Sequence, residues 1–351
     1  MPDGAVAREA GEMTTSRTDV PRRAGIADVA RLAGVSVGTV SNVLNRPERV
    51  SEPTRAKVQQ AIEELSFVRN ASARQLREGT VHTVGAVVLD ITNPFFTETA
   101  RGIEDRLAQD EYTLMLGSSD EDPQRESRLL RMFEEHGVRG MLVTPSRGSL
   151  DALTRIHQRG TEVVLLDHTS PVPDMASVAV DDVQGAALAV HHLLEQGHER
   201  LAFLNGPVSI RQCVERRDGV VGALVEAGKD PAEALVEITM DSLNATHGAE
   251  AMGELLDRAE PGVTATFCVN DFTALGALRA LRERGRSIPG DMAIVGYDDV
   301  NFAADLAVPL TSVRQPTHEM GWRAADLLLG SSEPEHVVYQ PDLVVRASSV
   351  P

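Results

Sequence analysis

Short apolar runs and amphipathic stretches take turns along most of the chain, from residue 82 onward. The runs are "GAVVLD", "TLMLGS", "GMLVTP", "EVVLLD", "RLAFLNG", "ATFCVN" and "MAIVGYD". Each is apolar at nearly every position, as a strand covered on both faces requires, and turn-forming residues bound it. The stretches between them have helical periodicity, so the alternation predicts parallel sheets with helices on both sides. That is an α/β fold. Ligands of such sheets sit beyond the carboxyl ends of the strands. Polar residues gather there: Asp90 to Phe96, Asp167, Asn205, Asn270 with Asp271, and Asp298 with Asp299. Two such sheets facing one another would enclose a cleft.

The first eighty residues follow another pattern. Ile26, Val29, Ala30 and Leu32-Ala33 recur at helical spacing, Gly34 ends the turn, and Ser36 is placed to cap a second helix, Val37–Leu44. A third helix is expected from Ser51, with Pro53 in its first turn and an apolar stripe through Val58, Ala61, Ile62 and Leu65. The pattern is that of a helix-turn-helix, whose second helix enters the DNA major groove. Val37, Gly38, Ser41 and Asn42 would then face base edges, while Ser36, Thr39, Asn45 and Arg49 suit phosphate oxygens. The competing reading is an ordinary helical hairpin.

Charge separates the two. The chain of 351 residues has a formal net charge of −18, yet residues 22–80 hold ten Arg and Lys against six acids. A small basic head on a large acidic body confines contact with nucleic acid to the head. The following segment, "FVRNASARQLREG", is too short and polar for a stable isolated helix. Folding on binding suits it. Small Ala73 allows close approach, Arg74 and Arg77 meet phosphates, and Leu76 is the wedge that a minor-groove binder inserts between base steps. A plain linker is the alternative.

"IADVARLAGVSVGTVSNVLN", with "VSEPTRAKVQQAIEELSFVRNASARQL", resembles the lactose-repressor (LacI/GalR) family of bacterial transcription regulators. The body extends the resemblance to about Arg346 through "DITNPFF", "HHLLEQGHERLAFLNGP", "RRDG", "CVNDFTALGALRAL", "IPGDMAIVGYDD" and "LTSVRQP", and is similar to type I periplasmic sugar-binding proteins. The resemblance implies a hinge helix that pairs with its copy on a palindromic operator, with Leu76 intercalated. Many relatives carry an arginine where Asn42 stands and a larger side chain at Gly38. It also implies that Arg216, Asn270 and Asp298 hydrogen-bond a small-molecule effector, a sugar or related metabolite, with Phe95 or Phe96 packed on it and Gln184 and Gln212 beside it. An arginine, an amide and a carboxylate suit a polyhydroxylated or carboxylated ligand on chemical grounds. The Asn-Asp pair could instead cap the next helix, with Asp271 well placed for it. Leu243 stands where several sugar binders have tryptophan, and Ile210, next to Arg211, where purine binders have a second arginine.

The fold expected is therefore an N-terminal all-α helix-turn-helix domain with a hinge helix, then an α/β, periplasmic-binding-protein-like (type I), two-lobed ligand-binding domain. The boundaries are a disordered leader at 1–22, the helix-turn-helix at 23–69, the hinge at 70–80, and effector binding and dimerisation at 81–351. The expected partners are palindromic operator DNA, a small-molecule effector and a second copy, with assembly of two dimers left open because "LVVRASSVP" has no leucine heptad. No apolar run suits a membrane or a secretory signal, which predicts a cytoplasmic protein; a start at Met13 would leave the head intact.

Nothing points to catalysis, a metal or another cofactor. Nucleophile-elbow, phosphate-loop, dinucleotide and zinc-protease motifs are missing. His191, His192 and His198 lack ligand spacing and fit a solvated helix end. "SSDEDPQRE" lacks the pattern of a calcium loop and fits solvated surface. Cys268, inside "TATFCV", fits a buried thiol. The competing function is a solute-binding protein or sugar-processing enzyme with no role on DNA. The basic head argues against it.

Overall fold

The computed structural model describes residues 24–67, 82–330 and 333–350. Its contacts divide the chain into two units on either side of Thr80–Val81.

In the first unit, helix α1 (Ile26–Ala33) ends at Gly34, whose φ of 68° is left-handed and easily adopted without a Cβ. Helix α2 (Val37–Asn45) starts at Ser36, whose Oγ accepts from the Thr39 N–H at 3.1 Å. After a 3₁₀ turn at Pro47–Arg49, helix α3 (Glu52–Glu64) carries Pro53 in its first turn. Val29, Ala30, Val40, Val43, Val58 and Ala61 form one small core from all three helices. Leu32, counted with the apolar face in the sequence, is instead 46 % exposed, about 200° around α1 from the buried Ala30.

The second unit has two lobes, each built on a six-stranded sheet. In the first lobe, β1 (Thr83–Val88), β2 (Thr113–Ser118), β3 (Gly140–Val143), β4 (Glu162–Leu166), β5 (Ser177–Val180) and β11 (His336–Tyr339) run parallel in the order β11-β5-β4-β3-β1-β2. Helices α4 (Pro94–Ala108) and α12 (Thr317–Leu329) cover one face through Ile103, Leu107, Met320 and Leu328. Helices α5 (Pro123–His136) and α6 (Leu150–Gln158) cover the other through Leu130, Phe133, Leu153 and Ile156. The second lobe orders β12 (Asp342–Val344), β10 (Thr311–Arg314), β9 (Ala293–Asp298), β8 (Val263–Cys268), β6 (Arg200–Asn205) and β7 (Leu235–Thr239). Only the β12–β10 pairing in it is antiparallel. Around this sheet lie α7 (Asp182–Glu195), α8 (Arg211–Glu226), α10 (Ala245–Arg258) and α11 (Asp271–Glu283), with the short α9 (Pro231–Ala234) leading into β7.

All seven apolar runs are strands. The strands that went unread, β5, β7, β10, β11 and β12, are only three to five residues long, with polar residues among the apolar ones. Because β11 and β12 come last in the chain yet join different sheets, the backbone crosses between lobes three times: after β5, after β10 and between β11 and β12.

Two expectations fail on burial. His192 is not at a solvated helix end: it is 7 % exposed and its Nε2 lies 2.7 Å from Ser349 Oγ, which pins the last described residues against α7. The acid-rich loop is not plain surface either. Glu126 is buried and accepts the Ser146 N–H at 2.6 Å, and Asp122 caps α5. Both cysteines are buried, and burial pushes the Cys213 thiol up to about 12, out of reach of ordinary thiolate chemistry.

Close approach of α4 and α12 depends on two glycines. A Cβ on Gly102 would lie 1.9 Å from the His318 carbonyl oxygen, and one on Gly321 would lie 2.0 Å from that of Thr99. Gly102→Ala is expected to force the helices apart at a cost of roughly 3 kcal/mol, read as a lower midpoint of urea unfolding; an unchanged midpoint would refute the close contact.

Candidate functional site

Two groups of residues hold chemistry that the core does not need. In the first unit, Ser36, Val37, Gly38 and Asn42 stand exposed at the start and outer face of α2, with Arg49 exposed beyond it; Thr39 and Ser41 are half-buried. Asn45 is half-buried and engaged within its own helix. Its Nδ2 donates back to the Ser41 carbonyl at 2.5 Å, so the amide braces the helix. Ala73, Arg74 and Leu76, with the whole hinge at 70–80, lie outside the described residues.

In the second unit a small cavity of about 40 Å³ opens between the lobes. From the first lobe it is walled by Leu89, Asp90, Asn93, Phe95, Phe96, Glu121 and Asp167. From the second come Ile210, Gln212, Arg216, Leu243, Asn270 and Asp298. Strand ends and helix starts supply nearly all of them, as the sheet topology dictates. An adjoining space, lined by Pro145, Ser146, Arg147 and Ser209 among others, shares Leu89, Glu121 and Ile210 with it.

Arg216, in the middle of α8, is 5 % exposed and held through two of its three nitrogens. Its Nε donates to Asp182 Oδ1 at 2.7 Å, its Nη1 donates to the Val269 carbonyl, and its guanidinium lies 3.5 Å from the centre of the Tyr297 ring. Nη2 is 4.0 Å from Asp298 Oδ1. Gln315 Nε2 donates to that same oxygen at 2.8 Å. Burial pushes Asp298 up to about 7, against the downward pull of Arg216, Gln315 and Asn93. Asp167 is raised well above the usual carboxylate range, by burial first and then by Asp182, while Arg216 and Gln212 oppose the shift.

The lobes are bridged by polar bonds inside the cavity. Gln212 Nε2, from α8, donates to Asp167 Oδ2 at 2.7 Å and to the Asp167 carbonyl at 2.6 Å, beyond the end of β4. Asn93 caps α4 through Oδ1 and also contacts Asp298 across the gap. Phe95 and Phe96 meet edge to face, with ring centres 5.0 Å apart. Asp167, Glu121 and Asp298 all have positive φ, at 54°, 60° and 109°, so three acids at strand ends occupy backbone conformations uncommon for side-chain-bearing residues.

Six of the seven residues expected around an effector thus line one cavity. Gln184 does not: it lies on the exposed side of the first turn of α7, where its N–H is held by Asp181. Asn270, not Asp271, caps α11, accepting from the Thr273 N–H at 2.7 Å while Nδ2 reaches the Leu243 carbonyl. Asp271 turns into the sheet, bonded to Ser312 Oγ and the Val300 N–H, because Gly296 leaves room for it. Asn205 and Asp299 likewise serve the frame, through Glu237 and through Arg314 and Arg346. Glu121 was missed, since an acid-rich loop looks solvated in sequence; its position just after the end of β2 was the available signal. Trp322 packs under Arg106 on α12 and is absent from the cavity wall. Among the described residues no group of acids, histidines and cysteines could hold a metal ion, and no helix is long and apolar enough to cross a membrane.

Comparison with known proteins places both units. Residues 25–70 match the model of "Bacterial regulatory proteins, lacI family", and residues 81–340 that of "Periplasmic binding proteins and sugar binding domain of LacI family". The transcriptional regulator DegA of Bacillus subtilis is 35 % identical over 93 % of this chain and 98 % of its own. The regulator GalR of Escherichia coli is 36 % identical over 93 % and 95 %. Among solved structures, the lac repressor dimer bound to operator and the anti-inducer ONPF is similar with a TM-score of 0.78 and 26 % identity, covering 94 % of this chain and all of that one. The complex of the regulator CelR with cellobiose has a TM-score of 0.68 and 33 % identity, covering 93 % and 100 %. The chain belongs to the LacI family of DNA-binding transcriptional regulators, whose operator affinity is set by a small molecule held between two α/β lobes.

Proposed function

We propose that the chain is a cytoplasmic repressor that acts as a homodimer on a palindromic operator, reading bases with Val37, Gly38, Ser41 and Asn42. Ser36, Thr39 and Arg49 hold the phosphates. The hinge, 70–80, would fold on the operator with Ala73 and Arg74 against the backbone and Leu76 wedged between base steps. The effector would lie against Phe95, Phe96, Gln212, Arg216, Asn270 and Asp298. The observation that carries this is the wall of the cavity: both lobes contribute to it, so a ligand there makes different contacts in different lobe arrangements. A ligand shifts a conformational equilibrium only by such a difference. The two-unit organisation at 23–69 and 81–351 follows from the same scheme, with one reader per lobe pair and two readers per half-site spacing. Dimers of dimers are not required by it.

The operator half of the proposal is tested by fluorescence anisotropy against a duplex selected from random sequence. Leu76→Ala is expected to weaken binding by about tenfold or more while leaving the melting profile unchanged; equal affinity would remove the wedge. The effector half is tested with Asp298→Asn, which keeps shape and removes charge. Operator affinity should persist while its response to effector falls by about tenfold, a loss of ~1.4 kcal/mol. Arg216→Ala is the poorer test, because it would strand the buried Asp182 at a cost of about 3–5 kcal/mol.

The cavity acids also couple folding to pH. Asp298 holds its proton in the folded state up to about 7 and loses it near the ordinary carboxylate range when unfolded, so the folded state binds more protons in between. Stability of the ligand-free protein is therefore expected to fall as pH rises from about 4 to 7. Asp298→Asn should flatten that slope in urea titrations. An unchanged slope would contradict the raised value.

A further inference from the structure

The space between the lobes is small and lined with acid. At about 40 Å³ it has room for a few water molecules. A ligand of more than a few atoms therefore enters only when the lobes part, and what holds them together decides how readily they do. Four carboxyls face that space: Asp90, Glu121 and Asp167 from the first lobe and Asp298 from the second. Arg216 is the cation in the wall, and its Nε is already bonded to a further carboxylate, Asp182. Were all of these groups ionised, one positive charge would stand among several negative ones on both sides of the seam.

Each lobe places one titratable group at this seam whose surroundings disfavour the charge. Asp298 is buried. In its own lobe it faces Arg216 of α8, Asp182 of α7, Asp271 of α11 and the Tyr297 ring, with Asp299 next in the chain. Gln315, on the crossing after β10, donates to its Oδ1, and Asn93 and Asp167 face it from the first lobe. Glu121 is half-buried between Asp90 and Asp120, with the Cys213 thiol of α8 across the seam and Arg147 along the adjoining space. Arg125 is no relief, since it is paired with Asp120. Burial raises Asp298 and Glu121 alike, each to about 7, Asp298 against the pull of Arg216 and Gln315, and Glu121 with the push of Asp90 and Asp120. Asp167 adds an independent sign of the same condition: Oδ2 takes a bond from Gln212, but Oδ1 is buried with no hydrogen-bond partner. A neutral carboxyl tolerates such a place far better than a carboxylate does.

We propose that the seam is operated by protons: as neutral carboxyls Asp298 and Glu121 let the lobes close, and as carboxylates they drive the lobes apart. Opening hydrates both groups, so the open form binds fewer protons than the closed form near neutral pH, and a rise in pH favours it. With an ordinary carboxylate value in the open form and about 7 in the closed one, each group shifts the balance toward opening by about tenfold between pH 6 and pH 8. The proton is then a second ligand of the cleft, acting with or without an effector. This rests on the regulator reading above only in that the lobe arrangement is what controls the operator there.

The test reads the distance between lobes in the full-length chain. Spin labels on Arg128→Cys in α5 and Val225→Cys in α8 report it, because both positions are exposed and both native cysteines are buried. Labelled chains are diluted into unlabelled protein, without DNA or effector, so that one lobe pair is read at a time. Circular dichroism at each pH confirms that folded states are compared. The expected result is a long-distance population that grows about tenfold or more, relative to the short one, from pH 6 to pH 8. In the double variant Glu121→Gln, Asp298→Asn, which keeps the neutral shape at every pH, the short distance should persist at pH 8. Glu121→Gln alone, at a half-buried position, should remove an about tenfold part of the response and serves where the pair does not fold. A wild-type distribution that is the same at pH 6 and pH 8 overturns the proposal. So does a shift of undiminished size in the variants, which would put the titrating group elsewhere. Either failure leaves the regulator proposal standing, since that one fails only if no selected duplex is bound.

Discussion

The buried pair of Arg216 and Asp182 is the contact on which the effector unit turns. Arg216 lies on α8 and Asp182 on the first turn of α7, where the helix N-terminus favours a negative charge. The same guanidinium reaches the carbonyl beyond β8 and rests on Tyr297 of β9. One side chain therefore fixes two helices and two strand ends. Burying a charge among neighbours of mixed sign costs more than it returns unless the geometry is fully satisfied. Here Nε and Nη1 have partners within the second lobe, and Nη2 is turned toward Asp298. The inner end of the cavity takes its shape from that requirement.

Across the gap the bonding is sparse. Gln212 to Asp167 and Asn93 to Asp298 are the polar links within the cavity wall, set among apolar contacts from Phe95, Phe96, Ile210 and Leu243. Three backbone crossings join the lobes and leave their relative angle to these few groups. A link of two or three hydrogen bonds, each worth about 1 kcal/mol net, is of the size that a small ligand can replace. The positive φ values of Asp167, Glu121 and Asp298 place strain at the same spots. Compact lobes joined by a weak seam are the arrangement that a ligand-operated switch requires.

How far this was legible in the sequence follows from local physics. Fully apolar strands announce themselves, because only a strand covered on both faces tolerates runs such as "AIVGYD" without alternation. The helix-turn-helix was equally plain, through Gly34, Ser36 and the stripe that Val29, Val40 and Val58 complete. Edge strands such as β7 and β12 are short and half-polar, and their identity comes from the partner strand rather than from their own residues. At the site, the strand-end polarity of Asn270 and Asp298 is visible in the sequence, Arg216 in the middle of α8 came from the family resemblance alone, and Gln184 misled because one face of a helix turn looks like another. Glu121 and the latch from Gln212 to Asp167 depend on contacts between distant segments, which no local pattern encodes. Asn45 shows a related limit: an amide offered to DNA and an amide bonded to its own helix have the same sequence.

Charge shapes the other half of the function. Within the described residues 24–67, five Arg and Lys face five Asp and Glu, so the folded reader carries no excess charge. Two of those cations are spent locally, Arg31 on Asp28 and Arg55 on Glu52. The basic surplus of the head belongs to Arg22, Arg23, Arg69, Arg74 and Arg77 on either side of it. Phosphate contacts supply most of the affinity for DNA in general and its salt dependence, whereas a helix in the groove supplies selectivity. Selectivity and affinity are thus held by different segments of the same eighty residues, and the strongly acidic body contributes only repulsion.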